Sequence, residues 1–303
     1  MQTSFFTAVL LPIGLAIVML GMGLTLLPED FQRVSRYPKA VAIGLISQLL
    51  FLPIVGFLVA SIVPMQPEMA VGLMVLALCP GGPSSNMITY LAKGDVALSV
   101  TLTALSSAIT VFTIPIFANL SLQYFVGQNA AIALPVGQTM LQIFAIAILP
   151  IVVGMLVRQK FPDLARRLEK TANRLAVAFL ALIIVAIIIH EWNRIPSFIA
   201  QVGIGVALLN VISMAIGFWF GKLFNLNFAQ RICIAIEVGI QNATLAIAIT
   251  AGLLKNPDMA VPAAVYSLFA YATAILTIFY GRRSDRKIYL EERSRANNLE
   301  TRL

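Results

Sequence analysis

The chain contains 303 residues, of which 59% are hydrophobic and 11% are charged. A soluble domain has about 25% charged residues, so this composition excludes an ordinary soluble protein and indicates an all-α integral membrane protein. The formal net charge of +8 does not indicate nucleic-acid binding, because the basic residues lie in short breaks between apolar runs and near the C-terminus, as membrane orientation requires.

Apolar runs bounded by polar residues, proline or glycine predict nine membrane-spanning helices. In chain order they cover residues 5–27, 38–60, 68–92, 96–119, 135–158, 173–190, 198–223, 228–254 and 259–281. One span needs about 20 apolar residues, so these segments account for most of the chain, and the connections between them are short.

The connections alternate in their content of basic residues. Of the 21 lysine and arginine residues, 19 lie in the C-terminal tail or in connections on the same side, whereas Arg194 and Lys255 lie on the other side. Basic residues concentrate in cytoplasmic connections. The N-terminus is therefore predicted to lie outside and the C-terminus in the cytoplasm, which requires an odd number of spans.

Two predicted spans are interrupted at corresponding places. The third contains residues 80–83 (Pro-Gly-Gly-Pro), the eighth contains residues 237–242 (Glu-Val-Gly-Ile-Gln-Asn), and a short polar link follows each span. Glycine and proline can simply kink packed membrane helices. Two interruptions in matching positions instead favour an inverted-repeat transporter with its binding site at the breaks. Four spans precede residues 123–134 and five follow them, so the first repeat is expected to lack its opening helix.

Glu237 is the only carboxylate placed well inside a predicted span. An acidic residue at the centre of a membrane helix costs about 2.5–3.5 kcal/mol, so some partner must compensate for it. An ion pair with Arg231 or Lys222 is one alternative, but both residues lie near the predicted membrane surface, where basic side chains extend toward water. A bound cation or a titrating proton is the better interpretation.

Neutral oxygen donors accompany this carboxylate in the sequence. They are Gln241 and Asn242 beside it, Ser84, Ser85 and Asn86 after the first break, and Gln48 in the second span. Carboxylate, amide, hydroxyl and carbonyl oxygens are ligands of hard cations, and no cluster of histidine or cysteine residues indicates a transition metal.

Hydroxyl residues share one face of the fourth predicted span. They are Ser99, Thr103, Ser106 and Thr110, which are spaced by four, three and four residues. Ser99 and Thr103 are closest in sequence to the first break and are plausible cation ligands. Ser106 and Thr110 are interpreted as packing residues that bond within their own helix.

The half-helices that resume near Ser84 and Asn242 would expose unpaired amides and positive dipole ends near the membrane midplane. Such ends favour an anion. The breaks are therefore predicted to hold a cation and an anion side by side, as ion-coupled uptake requires.

These motifs resemble the bile acid:sodium symporter family, particularly its bacterial members. The resemblance extends over residues 5–281 and is carried by residues 21–26 (Gly-Met-Gly-Leu-Thr-Leu), 79–92 (from Cys-Pro-Gly-Gly to Thr-Tyr-Leu-Ala), 96–100 (Val-Ala-Leu-Ser-Val) and 237–242. It implies a core domain with two crossed, broken helices and a panel domain that moves against it. The core would contain residues 38–119 and 198–281, the panel residues 1–30 and 135–192, and a charged cytoplasmic tail residues 282–303.

The resemblance also implies two sodium sites that share one carboxylate. The first site would use Ser85, Asn86, Ser99, Thr103 and Glu237, and the second Gln48, Glu237, Gln241 and the backbone carbonyls of Val238 and Ile240. The substrate would lie near the crossing point, at Pro83, Ser84, Asn242 and Ala243. Two features depart from bacterial relatives. Many bacterial relatives have ten helices, whereas nine are predicted here. Some have a hydroxyl residue at the position of Pro83, and proline there removes a hydrogen-bonding group and an amide donor.

Together these features predict a secondary active transporter in the cell membrane, which would be the inner membrane in a bacterium. It would couple sodium ions to a small organic anion, such as a bile-acid-like molecule, a steroid conjugate or a small carboxylate, by alternating access. The expected ligands are two sodium ions and that anion, with no other cofactor, no nucleic-acid partner and the lipid bilayer as surroundings.

Other function classes differ from this prediction in testable ways. Proton coupling through Glu237 is the nearest alternative. A membrane-embedded enzyme is less favoured, because no histidine or second carboxylate accompanies Glu237. A receptor or channel would bind a ligand or pass ions without concentrating a substrate.

The charge asymmetry predicts that positions 194 and 283 lie on opposite sides of the membrane. Single cysteines placed there, in a background without Cys79 and Cys233, should react with a membrane-impermeant maleimide from opposite faces of sealed vesicles. Labelling of both positions from one face would contradict the nine-span orientation.

Overall fold

The computed structural model describes residues 11–27, 29, 37–127, 136–190 and 195–300. Within these ranges the regular structure is helical, apart from one isolated β-bridge. The helices are α1 (Leu11–Gly23), α2 (Pro38–Ile62), α3 (Pro67–Leu78), α4 (Pro83–Leu91), α5 (Val96–Phe125), α6 (Gly137–Lys160), α7 (Pro162–His190), α8 (Ile195–Leu223), α9 (Phe228–Gly239), α10 (Ala243–Leu253) and α11 (Val261–Glu300). The all-helical prediction is confirmed for this part of the chain.

Five helical stretches of the described residues are long and apolar enough to cross a membrane. They are α2, α5, α6, residues Pro196–Leu223 of α8 and residues Asp258–Asp285, which include the first part of α11. The count of nine spans and the inverted repeat remain predictions. At about 1.5 Å per residue, the 12-residue α3 and the 9-residue α4 are each too short for a hydrocarbon core of about 30 Å, but their combined length matches it.

Both predicted interruptions are real breaks in the helices. In the first, Pro80 and Pro83 have no amide hydrogen to donate, and the chain is extended from Cys79 to Gly82 between α3 and α4. The second break contains no proline, and α10 begins where the Asn242 side chain accepts a hydrogen bond from the Leu245 amide at 3.0 Å. This side-chain cap replaces one of the bonds that a helix N-terminus lacks.

Two of the long helices widen into a π-helical turn just before a proline. In α2 the turn is Ser47–Phe51, followed by Pro53, and in α6 it is Phe144–Ile148, followed by Pro150. A proline leaves a carbonyl one turn earlier without its usual amide donor, and a π-turn is one way to accommodate this. The π-turn in α2 also contains Gln48, which is buried.

Helix α1 packs against α6 and α7. A Cβ atom at Gly23 would overlap the backbone of Ile151 in α6, and one at Gly21 would lie 2.9 Å from the Cβ of Ala172 in α7. Glycine therefore lets these three backbones approach closely, which favours association in lipid, where van der Waals contact replaces the hydrophobic driving force.

Helix α7 begins earlier than predicted. The stretch between residues 158 and 173 was expected to be a basic connection, but α7 starts at Pro162. Proline suits the first position of a helix, and the segment is amphipathic, with Ala165 buried while Arg166 and Arg167 are exposed. At the other end of the chain, α11 continues through residue 282 to Glu300, so the predicted cytoplasmic tail does not begin at a helix end.

The hairpin of α8 and α9 is closely packed at two glycines four residues apart, Gly217 and Gly221. A Cβ atom at Gly217 would lie 2.8 Å from the carbonyl oxygen of Ile234 and 3.0 Å from the Cα of Ala235. Both contacts are to the α9 backbone, which cannot move aside as a flexible side chain can.

Replacing Gly217 by alanine should separate α8 from α9 and lower the free energy of unfolding by about 1–3 kcal/mol. The matched control is Gly203→Ala on the same helix, where the nearest atom would be the Cγ2 of Ile199 at 3.5 Å. The control should be neutral or stabilising, since alanine is the better helix former. Thermal unfolding in detergent measures both variants, and equal stability would contradict this packing.

Candidate functional site

The two helix breaks touch each other. The amide of Asn242 donates to the carbonyl of Pro80 at 2.9 Å, and Gly81 forms an antiparallel bridge with Gln241. A Cβ atom at Gly81 would overlap the carboxylate of Glu237. A side chain at this position would therefore displace the carboxylate, which packs directly on the backbone of the opposite break.

Hydroxyl groups from two other helices surround the Glu237 carboxylate, which is buried. Its Oε2 accepts hydrogen bonds from Ser85 of α4 at 2.8 Å and from Ser99 of α5 at 3.0 Å, and its Oε1 accepts one from Thr103. The Oδ1 of Asn86 lies 2.8 Å from the Ser99 hydroxyl and 3.3 Å from the Thr103 hydroxyl, so each hydroxyl has one hydrogen to share between Asn86 and Glu237. The structure thus brings together all five residues expected at the first cation site.

A second group lies between α2 and the second break. The Nε2 of Gln48 donates to the Oε1 of Gln241 at 2.8 Å and to the carbonyl of Cys79 at 3.0 Å. The Nε2 of Gln241 in turn donates to the carbonyl of Val238 at 2.6 Å. Ile240 is buried in the same break. Because Gln241 also reaches the backbone carbonyl of Glu237 at 3.4 Å, the two groups are contiguous.

The expected substrate residues lie at the starts of the resumed half-helices. Pro83 is the first residue of α4, although its side chain is outside the described part of the structure, and Ser84 follows it and is half-buried. Ala243 is the first residue of α10 and is buried. The side chain of Asn242 is buried as well, and its Nδ2 has no hydrogen-bond partner.

The ion-pair alternative for Glu237 does not hold. The guanidinium of Arg231 lies over the ring of Phe218 at 4.1 Å, and the ammonium of Lys222 lies over the ring of Trp219 at 4.7 Å. No lysine or arginine that the structure describes comes within 4.0 Å of the Glu237 carboxylate. Its charge faces only neutral hydroxyl donors, so the site remains suited to a cation or a proton.

Ser106 and Thr110, the other two hydroxyl residues on this face of α5, bond within their own helix. Ser106 donates to the carbonyl of Thr103 and Thr110 to that of Ser107, both at 3.2 Å and within the same helix.

The sequence interpretation missed two residues at the second break. Asn210 of α8 and Tyr266 of α11 both donate to the carbonyl of Gly239, each at 2.7 Å. Asn210 could have been noticed as an amide inside an apolar run. Tyr266 gave no such signal, because aromatic residues are common in membrane helices.

The sequence is similar to those of known proteins. A family model described as the Sodium Bile acid symporter family matches residues 12–198. The chain is 31% identical to the uncharacterized sodium-dependent transporter YocS of Bacillus subtilis, over 95% of its own length and 87% of that protein. It is 25% identical to the human ileal sodium/bile acid cotransporter, over 92% of its own length and 79% of that protein.

The chain also resembles chloroplast proteins. It is 32% identical to the probable sodium/metabolite cotransporter BASS2 of rice (Oryza sativa subsp. japonica), over 93% of its own length. It covers 65% of that protein and 62% of the Arabidopsis thaliana protein BASS1, so it spans less than two thirds of these relatives.

In potassium buffer, Glu237→Gln should leave the unfolding temperature unchanged or raise it, because a carboxylate held by neutral donors is costly to bury. The control is Glu68→Gln in the first turn of α3, which keeps the chemical change but lies outside the site. Thermal unfolding of both variants in detergent gives the comparison. A marked destabilisation confined to Glu237→Gln would mean that the charge has a structural partner.

Proposed function

We propose that this chain, which belongs to the Sodium Bile acid symporter family, couples the downhill entry of sodium to the transport of a small organic anion. Members of this family are transporters and not enzymes, which sets aside the enzyme alternative. The observation that carries the proposal is the buried Glu237 carboxylate between two groups of neutral oxygens where the helix breaks contact each other.

Two sodium ions would share this carboxylate. The first would bind among Ser85, Asn86, Ser99, Thr103 and Glu237, where a carboxylate, an amide and three hydroxyls converge. The second would bind among Gln48, Gln241, Glu237 and the carbonyls of Val238 and Ile240. One negative charge would then partly offset two cations, and binding of either ion would alter the field at the other.

The substrate would bind where α4 and α10 resume. Helix α4 begins at Pro83, which has no amide hydrogen, so the positive dipole ends of the two half-helices would be what favours an anionic group there. Asn242 adds a buried side-chain amide nitrogen that has no hydrogen-bond partner. This nitrogen could donate a hydrogen bond to an anionic oxygen of the substrate. Relatives named for metabolites and for bile acids support a carboxylate or a sulfate-bearing organic anion as the substrate class.

Transport would follow an alternating-access cycle of a nine-helix, inverted-repeat protein. Helices α1, α6 and α7 would form a panel, as their mutual packing suggests, and α2 to α5 with α8 to α11 would form the core that carries both sites. The N-terminus would lie outside and the charged end of α11 in the cytoplasm.

We expect sodium, but not potassium, to raise the unfolding temperature of the purified protein, because ligand binding to the folded state stabilises it. Glu237→Gln should abolish both this response and uptake. Ser99→Ala should retain a response but raise the half-saturating sodium concentration about fivefold, the cost of one neutral contact. The matched control is Ser106→Ala, which loses only a bond within α5.

The same titration tests the alternatives. Equal stabilisation by sodium and potassium would contradict the sodium sites. Uptake driven by a pH gradient without sodium would identify Glu237 as a proton carrier. A screen of organic anions with and without sodium, read as an unfolding temperature, identifies the substrate class.

A further inference from the structure

The carbonyl of Gly239 is held differently from the others at the end of α9. The last carbonyls of a helix have no amide donor within it. Those of Glu237 and Val238 face the side chain of Gln241, within the second proposed sodium group. The Gly239 carbonyl instead accepts two hydrogen bonds from outside that group.

Its two donors come from different helices. The hydroxyl of Tyr266 in α11 and the Nδ2 of Asn210 in α8 each donate to it at 2.7 Å, and Nδ2 also lies 3.4 Å from the Tyr266 hydroxyl. Both side chains are completely buried. Neutral hydrogen bonds are strong in such a place, where no water competes for the donors.

Gly239 needs such restraint. A side chain there would collide with Met214 of α8, so close packing requires glycine. Glycine also has the widest range of backbone angles, so the peptide that follows it could rotate. Because a peptide group is planar, the direction of the Gly239 carbonyl fixes the plane of the Gly239–Ile240 peptide. That plane in turn limits where the carbonyls of Val238 and Ile240 can point.

The first break has a comparable restraint. There the Nε2 of Gln48 in α2 donates to the carbonyl of Cys79 at 3.0 Å. Gln48 precedes its acceptor by 31 residues and Asn210 precedes Gly239 by 29. Each break is thus held by an amide side chain from the helix that precedes the broken pair. Gln48 is itself one of the proposed sodium ligands, whereas Asn210 lies outside that group and contacts Tyr266.

We propose that Asn210 and Tyr266 are positioning residues for the second sodium site. They hold the Gly239 carbonyl on the side of α8 and α11, and this keeps the carbonyls of Val238 and Ile240 available to the ion. This inference rests on the proposed function. Neither residue is a ligand, because each acts only through the peptide that it holds.

The test is a double-mutant cycle of Asn210→Leu and Tyr266→Phe, in which sodium replaces potassium at constant ionic strength. Each single variant leaves one donor on the carbonyl and should raise the half-saturating sodium concentration about fivefold. The double variant frees the Gly239–Ile240 peptide. It should therefore raise the half-saturating sodium concentration by more than the product of the two single effects, that is, by more than about 25-fold. Its titration should also be less steep, because the group around Ser85 and Ser99 is intact.

Ser213→Ala and Ser267→Ala are the controls. Ser213 lies one turn after Asn210 and its hydroxyl has no partner, while Ser267 follows Tyr266 and donates only to the carbonyl of Ala263 at 3.0 Å. Both should titrate like the unaltered protein. A purely structural role for Asn210 and Tyr266 would lower the unfolding temperature in potassium without changing the sodium titration.

A double variant whose half-saturating sodium concentration and steepness equal those of the unaltered protein overturns the inference and leaves the proposed function standing. If the double variant does not fold, unchanged titrations in both single variants overturn it equally. Absence of any sodium response in the unaltered protein overturns the proposed function itself, and this inference with it.

Discussion

Glu237 lies where the breaks of α3–α4 and α9–α10 touch, and its carboxylate packs on the backbone of Gly81. An ionisable group at this depth is costly, and the surrounding chain is arranged to reduce that cost. Helices α4 and α5 supply three hydroxyl donors, from Ser85, Ser99 and Thr103. The two breaks contact each other beside this carboxylate, and the absence of a side chain at Gly81 leaves room for it.

Breaking a helix inside a membrane creates a second cost, because free backbone groups find no water there. In this protein the backbone groups of the two breaks form hydrogen bonds with each other and with side chains. The Asn242 amide bonds to the Pro80 carbonyl, and side-chain amides or hydroxyls cover the carbonyls of Cys79, Val238 and Gly239. Non-helical backbone is tolerated at such a depth where it is buried in protein, as both breaks are here.

Close helix packing keeps this arrangement in register. Gly217 brings α8 against the backbone of α9, and Gly23 does the same for α1 and α6. The first contact places Asn210 where it reaches the second break, whereas the second joins the helices proposed to form the panel. In lipid such contacts stabilise a structure through van der Waals packing, so small residues at helix interfaces influence both stability and the geometry of the site.

The all-helical fold and both helix breaks could be predicted from the sequence, and the residues that the family resemblance implied for the first cation site do lie together around Glu237. Hydrophobic runs, the two interruptions and the isolated Glu237 are local signals, and each has a simple physical cost that sequence alone makes visible. The start of α7 was misjudged, because its charged first turns resemble a connection until Leu24, which follows α1, is seen in one buried cluster with Ala165 and Ala172.

The sequence by itself determined that the chain is a helical membrane protein with two broken spans and one buried acid, because composition and spacing are properties of neighbouring residues. Only the tertiary structure decided that the breaks touch, that Arg231 and Lys222 bind aromatic rings instead of Glu237, and that Tyr266 reaches Gly239. These contacts join residues far apart in the chain, and their partners depend on how helices cross, which local pattern does not specify.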